Sequence, residues 1–328
     1  MLFLNAAEVE ASLPMLEAIS AMKDAYRALS AGSVDLPLRT RISVEDEDGA
    51  VLFMPAYLKH TGQQVMCLKT VAVFPRNVGR NIPTIHAAVV VLNPITGQIE
   101  ALLEGSRLTA IRTGAASGAA TDLLAREDSP VGAIFGAGIQ GRTQLQAICS
   151  VRRLERVWIF DPNQENALKL VEELSGQGPI PKDLRIANSP EQAVKDADLI
   201  CTATTATTPV FSDEDLKPGV HINGVGSYTP EMIEIPLQTI KRAAVYVGSK
   251  QGVLAEAGEI LAAIDQGLLG ADKLVELGEV INQNKPGRID QDQITLFKSV
   301  GVAVQDAAAA FLVLKNARKM NIGSELSW

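Results

Sequence analysis

Gly136-Ala137-Gly138-Ile139-Gln140-Gly141 sets three glycines at the spacing with which a main chain cradles a pyrophosphate. The first glycine permits a tight turn, the second lets the backbone approach the phosphates, and the third lets a helix pack closely on a sheet. An apolar strand leads into this motif, a helix leads out, and Asp161 closes the next strand. The helix N-terminus would meet the negative charge with free N–H groups and its positive dipole end. Asp161 can accept hydrogen bonds from both adenosine ribose hydroxyls and would repel a 2′-phosphate. No Arg or Lys follows closely to receive one. NAD(H) is therefore favoured, with NADP(H) the alternative. Thr202-Ala203-Thr204 and Val225-Gly226-Ser227 close two later strands, at ends where a nicotinamide ribose would sit.

Such residues need a parallel sheet to hold them. From Val131 onward strands alternate with helices: strands at 131–135, 157–161, around Ile186, 199–202, 221–225 and 244–247, and helices at 140–151, 163–174 and 190–197. This is the doubly wound pattern. The earlier chain follows another grammar. Leu16, Ile19, Met22, Tyr26 and Leu29 recur at helical spacing over 14–31, and Gly32 ends that helix. Segments 39–44, 50–54, 65–73 and 86–92 read as strands, separated by turns at 45–49, 59–62, 75–83 and 93–97. Strands in succession without helices predict a mainly antiparallel or mixed sheet. An Ala-rich helix is expected at 109–125. A last long helix is expected over 295–319, with a small-residue face of Gly301, Ala303 and 307–310.

A chain of 328 residues suggests two domains. Aromatics make up 4%, so the core must be aliphatic and rich in Ala and Gly, which suits helices packed on a parallel sheet. A net charge of −8 argues against binding nucleic acid, which needs a basic face. An anionic small substrate requires local cations that overcome this field. Cys67, Cys149 and Cys201 lie far apart in apolar runs with no zinc spacing, and read as buried thiols of a reducing compartment. Without clustered His, Cys or carboxylates, no metal is expected. The start, Met1-Leu2-Phe3-Leu4-Asn5, has no basic leader, and no apolar run reaches the roughly 18 residues of a membrane span. A cytoplasmic protein without membrane partners is expected.

Nine pieces in order carry a resemblance. They are Pro37-Leu38-Arg39-Thr40, Met54-Pro55-Ala56-Tyr57, Leu68-Lys69-Thr70-Val71, Pro83-Thr84-Ile85-His86, residues 108–115 (LTAIRTGA), the glycine motif, residues 217–226 (KPGVHINGVG), Leu277-Gly278-Glu279-Val280 and Phe297-Lys298-Ser299-Val300-Gly301. With them, from about residue 37 to 306, the chain resembles the ornithine cyclodeaminase/mu-crystallin family. The resemblance implies an α/β protein in which a Rossmann doubly wound parallel sheet is inserted into a second, α+β domain. Residues 1–117 with 301–328 would bind substrate and dimerise, and 118–300 would bind the dinucleotide. Family members are homodimers that pass hydride between C4 of a nicotinamide and the α-carbon of an amino or imino acid.

A 2-imino acid needs a clamp on its carboxylate and control of a proton near its nitrogen. Arg39, Lys69 and Arg112 offer cations at strand ends or in the first turn of a helix, and guanidinium forks suit carboxylates. The resemblance implies that Arg39 and Arg112 bind the carboxylate and that Lys69 is catalytic, beside the reacting carbon and nitrogen. Lys69 lies in an apolar strand, so desolvation and nearby Arg charges should lower its pKa toward neutrality. Arg41, two residues from Arg39, is a weaker second clamp. His86 resembles a histidine of the ketimine-reductase branch and joins Tyr228 as a substrate-binding candidate. A core or capping histidine is its other reading, and His60 and His221 read as structural. Lys298 joins Gly136, Gly138, Ile139, Gln140, Gly141, Asp161, Thr202, Ala203, Thr204, Val225, Gly226 and Ser227 in the cofactor set.

Cyclodeaminase members carry an acidic residue where this chain has Tyr228, and a glutamate where it has Leu52. Without those carboxylates a diamino acid is poorly held. The expected activity is therefore NAD(P)H-dependent reduction of a small cyclic 2-imino acid, such as pyrroline- or piperideine-2-carboxylate. Amino-acid dehydrogenation of the alanine dehydrogenase kind is the nearest alternative, and ornithine cyclodeamination ranks below it. A non-catalytic small-ligand binder is the alternative of another class, but it would have no chemical need for Lys69.

Overall fold

The computed structural model describes residues 1–60 and 63–327. The chain forms two compact units: Met1–Arg112 together with the chain from Ala303 on, and Thr113–Val302. The cuts stand at 112/113 and 302/303, against the 117/118 and 300/301 expected from the sequence.

The first unit opens with β1 (Leu2–Leu4) and α1 (Ala6–Ser12), both too short for a periodicity to announce. Asn5 and Glu8 cap α1 reciprocally: the Glu8 N–H donates to the Asn5 side chain and the Asn5 N–H to the Glu8 carboxylate. In α2 (Met15–Ser30) the buried stripe is Met15, Ala18, Ile19, Met22, Ala25 and Tyr26. Leu16, expected in that stripe, sits at its edge and is 62% exposed. Next come β2 (Val34–Asp35), β3 (Thr40–Val44), β4 (Gly49–His60), β5 (Gln63–Val73), β6 (Ile85–Leu92), β7 (Ile99–Glu104) and α3 (Gly105–Leu124). Strand β4 runs to His60, so residues 59 and 60 of the turn expected at 59–62 are strand, and the rest of that expectation lies outside the described residues, as does the His60 side chain.

The second unit alternates as expected. Its elements are β8 (Val131–Phe135), α4 (Ile139–Val151), β9 (Arg156–Phe160), α5 (Gln164–Leu174), β10 (Asp183–Ile186), α6 (Pro190–Val194), β11 (Leu199–Thr202), β12 (His221–Gly224), α7 (Leu237–Arg242), β13 (Ala244–Val247), α8 (Lys250–Glu256), α9 (Gly258–Asp265), β14 (Val275–Glu276), α10 (Leu277–Ile281) and β15 (Thr295–Lys298). The strands pair in parallel in the order β10-β9-β8-β11-β12-β15-β13-β14. The order reverses direction between β8 and β11, the switch point beyond which ligands bind at the strands' carboxyl ends. His221 is fully buried and bridges Thr295 (2.9 Å) and Asn223 (3.2 Å), a structural role that burial enforces by pushing its pKa down to about 3.

Residues 295–298 were expected to begin the last helix. They form β15, buried throughout and paired on both sides with β12 and β13. An entirely buried strand shows no alternation, so its apolar run reads as easily as a helix. Gly301, at φ +78°, turns the chain before α11 (Ala303–Met320) begins.

Helix α11 and β16 (Ser324–Glu325) complete the first unit. Its mixed sheet runs β16-β1-β7-β6-β5-β4-β2, with β3 also pairing β4, and is antiparallel except where β1 meets β7. One face, with Met54, Ala56, Cys67, Val71, Val89 and Val91, is buried and touches α11. The other, with Phe53, Pro55, Tyr57, Met66, Leu68 and Val90, is only half-buried though apolar. Among the described residues no helix is long and apolar enough to cross a membrane.

Candidate active site

In the first unit a charge cluster is sealed between β5 and α11. Lys69 Nζ lies 2.7 Å from Asp306 Oδ2, and Arg112 Nε donates to Asp306 Oδ1 at 3.0 Å. Lys69 is 1%, Asp306 0% and Arg112 5% exposed, so none of these charges is hydrated as it would be on a surface. Arg112 Nη1 also donates to Gln305 Oε1 at 2.7 Å, and Gln305 Nε2 donates to the Tyr26 hydroxyl at 2.6 Å. Asp306 thus neutralises, while Gln305 and Tyr26 fix the plane of the Arg112 fork.

The electrostatics follow from that burial. The Lys69 ammonium ends at about 8, and desolvation is the largest cause of the fall. Asp306 opposes that fall, and Arg112 adds to it. Arg39 is also held below its ordinary value, by burial first and then by the charges of Arg112 and Arg41, with Asp306 opposing. Lys69 and Arg112 together against the Asp306 carboxylate leave an excess of positive charge that an anionic ligand would balance. Cys67 shares the same face, and burial pushes its thiol up, so it supplies no thiolate.

Cross-strand register places the remaining candidates. Met54 stands opposite Lys69, and Leu52 pairs with Val71 and Arg41, so Leu52 and Arg41 share the Lys69 face. Arg39 precedes β3 and is half-buried, whereas Arg41 is exposed. His86 pairs with Ala72, three residues along β5 from Lys69, which puts its side chain on the opposite face. It is exposed there, and the structure does not bring it to the cluster. Strand parity, not sequence distance, decides this.

The second unit presents the dinucleotide motif, and its stereochemistry can be tested against such a ligand. Gly136 has φ +92°, where a side chain is strained, and an added Cβ would lie 2.6 Å from the Ala203 carbonyl. A Cβ on Gly141 would fall 1.8 Å from the Gly136 oxygen. At Gly138, the N-cap of α4, a Cβ would meet nothing within 4 Å. Gly138 is therefore not required by the protein's own packing, which fits a position that a ligand must approach. It also offers no side-chain cap, leaving the first-turn N–H groups for a phosphate. Ile139 is exposed beside it, and Gln140 Oε1 is buried without a hydrogen-bond partner among the described residues.

Asp161 Oδ2 accepts from the Ala137 N–H at 2.8 Å and Oδ1 from the Asn163 N–H at 2.9 Å. The carboxylate is thereby aimed at the end of β9 and keeps lone pairs for ribose hydroxyls. Thr202 Oγ1 is buried and finds no partner among the described residues. The residues fit a dinucleotide.

Two buried glutamates tie the far strand ends together. Glu234 accepts from Thr204 N–H (2.7 Å) and Thr204 Oγ1 (2.8 Å) on one loop, and from Gly226 N–H (2.7 Å) and Ser227 N–H (3.0 Å) on the next. Burial raises its pKa, against the pull of Lys298 and Thr204. Ser227 Oγ donates to Glu259, whose other oxygen lies 2.8 Å from Lys298 Nζ. Lys298 is fully buried at the end of β15, and Val225 and Tyr228 are half-buried in the loop after β12.

Asp306, Gln305, Glu234 and Glu259 are functional candidates that sequence reasoning missed. For the first two a signal existed: Gln305-Asp306 is a polar pair inside an otherwise apolar helical stretch, and buried polar groups are partnered. Among the described residues no group of three His, Cys, Asp or Glu is placed to hold a metal.

The comparisons with known proteins agree with one another. The profile of the ornithine cyclodeaminase/mu-crystallin family matches residues 1–321. The Delta(1)-pyrroline-2-carboxylate reductase of Bacillus cereus is 37% identical over 330 residues, covering 100% of both chains. Among solved structures, the Thermococcus litoralis Delta(1)-pyrroline-2-carboxylate reductase in complex with NADH and L-proline superposes with a TM-score of 0.95. It is 38% identical and covers 99% of this chain and 100% of its own. An archaeal alanine dehydrogenase dimer with bound NAD gives 0.91 at 32% identity, covering 100% of this chain and 99% of its own.

Proposed function

Because this chain belongs to the ornithine cyclodeaminase/mu-crystallin family, we propose that it is an NADH-dependent reductase of small cyclic 2-imino acids, of the Δ1-pyrroline-2-carboxylate type, giving the L-amino acid. The buried Lys69–Asp306–Arg112 cluster with Arg39 beside it carries this reading. A buried excess of positive charge suits a carboxylate, and a lysine held near pH 8 can exchange its proton under working conditions.

The nicotinamide, when bound, supplies the hydride to the imine carbon. The electron pair of the C=N bond then settles on nitrogen, and Lys69 Nζ delivers the proton that nitrogen needs. Arg112, its fork oriented by Asp306 and Gln305, and Arg39 hold the substrate carboxylate. Leu52 on the Lys69 face offers an apolar wall to an aliphatic ring and no anion to a second ammonium, which sets ornithine cyclodeamination aside. Gly136–Gly141 holds the pyrophosphate and Asp161 the adenosine ribose, so NADH is preferred to NADPH.

The same groups run backwards oxidise an amino acid, and the likeness to an archaeal alanine dehydrogenase makes that the second reading. Purified protein should oxidise NADH with Δ1-pyrroline-2-carboxylate much faster than with pyruvate plus ammonia. Loss of NADH absorbance in neither mixture would overturn both readings. A non-catalytic binder would be indifferent to Lys69→Met, which here should abolish turnover and spare NADH affinity.

We place the enzyme in the cytoplasm as a homodimer. Its three cysteines are free thiols, the condition of a reducing compartment. The half-buried apolar face of Phe53, Tyr57, Met66, Leu68 and Val90 suits a second copy, as the dimeric alanine dehydrogenase suggests.

A further inference from the structure

The carboxylate of Glu234 accepts four hydrogen bonds from two separate loops, the one after β11 and the one after β12. At the strand ends the two are joined by one main-chain bond, Val225 N–H to the Thr202 carbonyl at 3.0 Å, and among the described residues none joins Thr204 to Gly226 or Ser227. The segment that carries Glu234 is itself anchored. Ile233 N–H donates to the Ala206 carbonyl at 3.0 Å, and Val210 N–H donates to the Glu234 carbonyl at 2.9 Å. The side chain therefore reaches both loops from a fixed base. A second observation shows how tightly they are drawn in. A Cβ added to Gly226 would lie 2.4 Å from Glu234 Oε1 and 2.3 Å from the Thr204 carbonyl, so only glycine allows the approach.

We infer that Glu234 is the positioning residue for the nicotinamide half of the cofactor, acting as a staple that sets the spacing of the 202–204 and 225–227 loops. This rests on the cofactor reading above. It adds a division of labour: the Gly136–Gly141 turn and Asp161 serve the adenosine diphosphate half, and the Glu234 staple serves the rest. A carboxylate presents hydrogen-bond acceptors at both ends. A glutamine presents an acceptor at one end and a donor at the other. Whichever way its amide is turned, one loop loses its anchor and meets a donor instead.

The test compares two ligands on one protein. NADH and ADP, which lacks both the nicotinamide and its ribose, are titrated by calorimetry into the wild type and Glu234→Gln. The staple predicts that Glu234→Gln weakens NADH at least tenfold and leaves ADP within twofold, with the KM for NADH rising more than kcat falls. Equal weakening of both ligands would show a general loss of the unit and overturn the inference, as would no change in either. Should Glu234→Gln fail to fold, Thr204→Val removes one of the four donors with little change of shape, and a threefold loss confined to NADH is expected. An unchanged NADH affinity there would also overturn it. A wild type that binds neither ligand would instead overturn the cofactor assignment on which the staple depends.

Discussion

Replacing Asp306 by Asn tests the central cluster most directly. Asp306 is the group that raises the Lys69 pKa against burial and Arg112, leaving it at about 8. At an effective dielectric near 20, unit charges 2.7 Å apart attract by about 6 kcal/mol, and about 1.4 kcal/mol moves a midpoint by one pH unit. Asp306 also spends part of its field on Arg112, so roughly half of that attraction, about two pH units, is a fair expectation for Lys69. The sign is definite: without the carboxylate, Lys69 loses its proton at lower pH. At pH 7.5 its protonated fraction would fall from about three-quarters to roughly 3%, a loss of about 25-fold in imine reduction.

The assay is the pH profile of kcat/KM for Δ1-pyrroline-2-carboxylate, which reports the free enzyme. The alkaline limb, near pH 8 in the wild type, should move down by about two units in Asp306→Asn. In the oxidative direction, where neutral Lys69 is the base, the rising limb should move the same way. Weaker carboxylate binding through Arg112 changes the amplitude and not this midpoint. A variant whose limb stays near pH 8, or moves up, would refute the role given to Asp306.

Three further outcomes are expected. Gly138→Ala should keep the wild-type melting temperature and raise the NADH KM at least tenfold, whereas Gly141→Ala, 1.8 Å from a carbonyl oxygen, should lower the melting temperature; equal melting losses would contradict the open space at Gly138. His221 stays neutral in the folded protein down to about pH 3, while in the unfolded chain it binds a proton near 6.5. Stability should therefore fall as pH drops below 6.5, by about 1.4 kcal/mol per unit, and urea titrations at pH 7, 5.5 and 4.5 should show that slope reduced in His221→Gln. If the proposed homodimer forms through the half-buried apolar face, Leu68→Glu should lower the mass to that of a monomer in light scattering at micromolar concentration, and an unchanged mass would contradict that interface.

The parts of the fold that a local pattern encodes were legible. The strand, glycine turn and helix at Val131–Val151 and the acidic end of β9 are neighbours in sequence, so their geometry is written in a short window. Lys69 stood out because a charge inside an apolar strand demands an explanation. Its partner did not, since the contact that balances Arg112 spans 194 residues. Glu234 reaches Thr204 across 30, through a loop without periodicity. Thr295–Lys298 misled for another reason: burial on every side erases the alternation by which a strand is recognised. His86 belongs to the opposite face because strand parity fixes direction, and that parity is known only once the register is.

The placement of Asp306 on α11 has a consequence for synthesis. Residues 113–302 are contiguous and include every strand of their own sheet, so that unit can close its sheet from a single stretch of chain. The first unit must wait. Arg112 emerges nearly two hundred residues before the Asp306 carboxylate that balances it, and Lys69 earlier still; until α11 arrives the Cys67–Val71 side of β5 lacks the helix that packs on it. A chain ended just short of residue 303 would hold every strand of the nucleotide sheet, and in the first unit cations still dressed in water for want of their carboxylate.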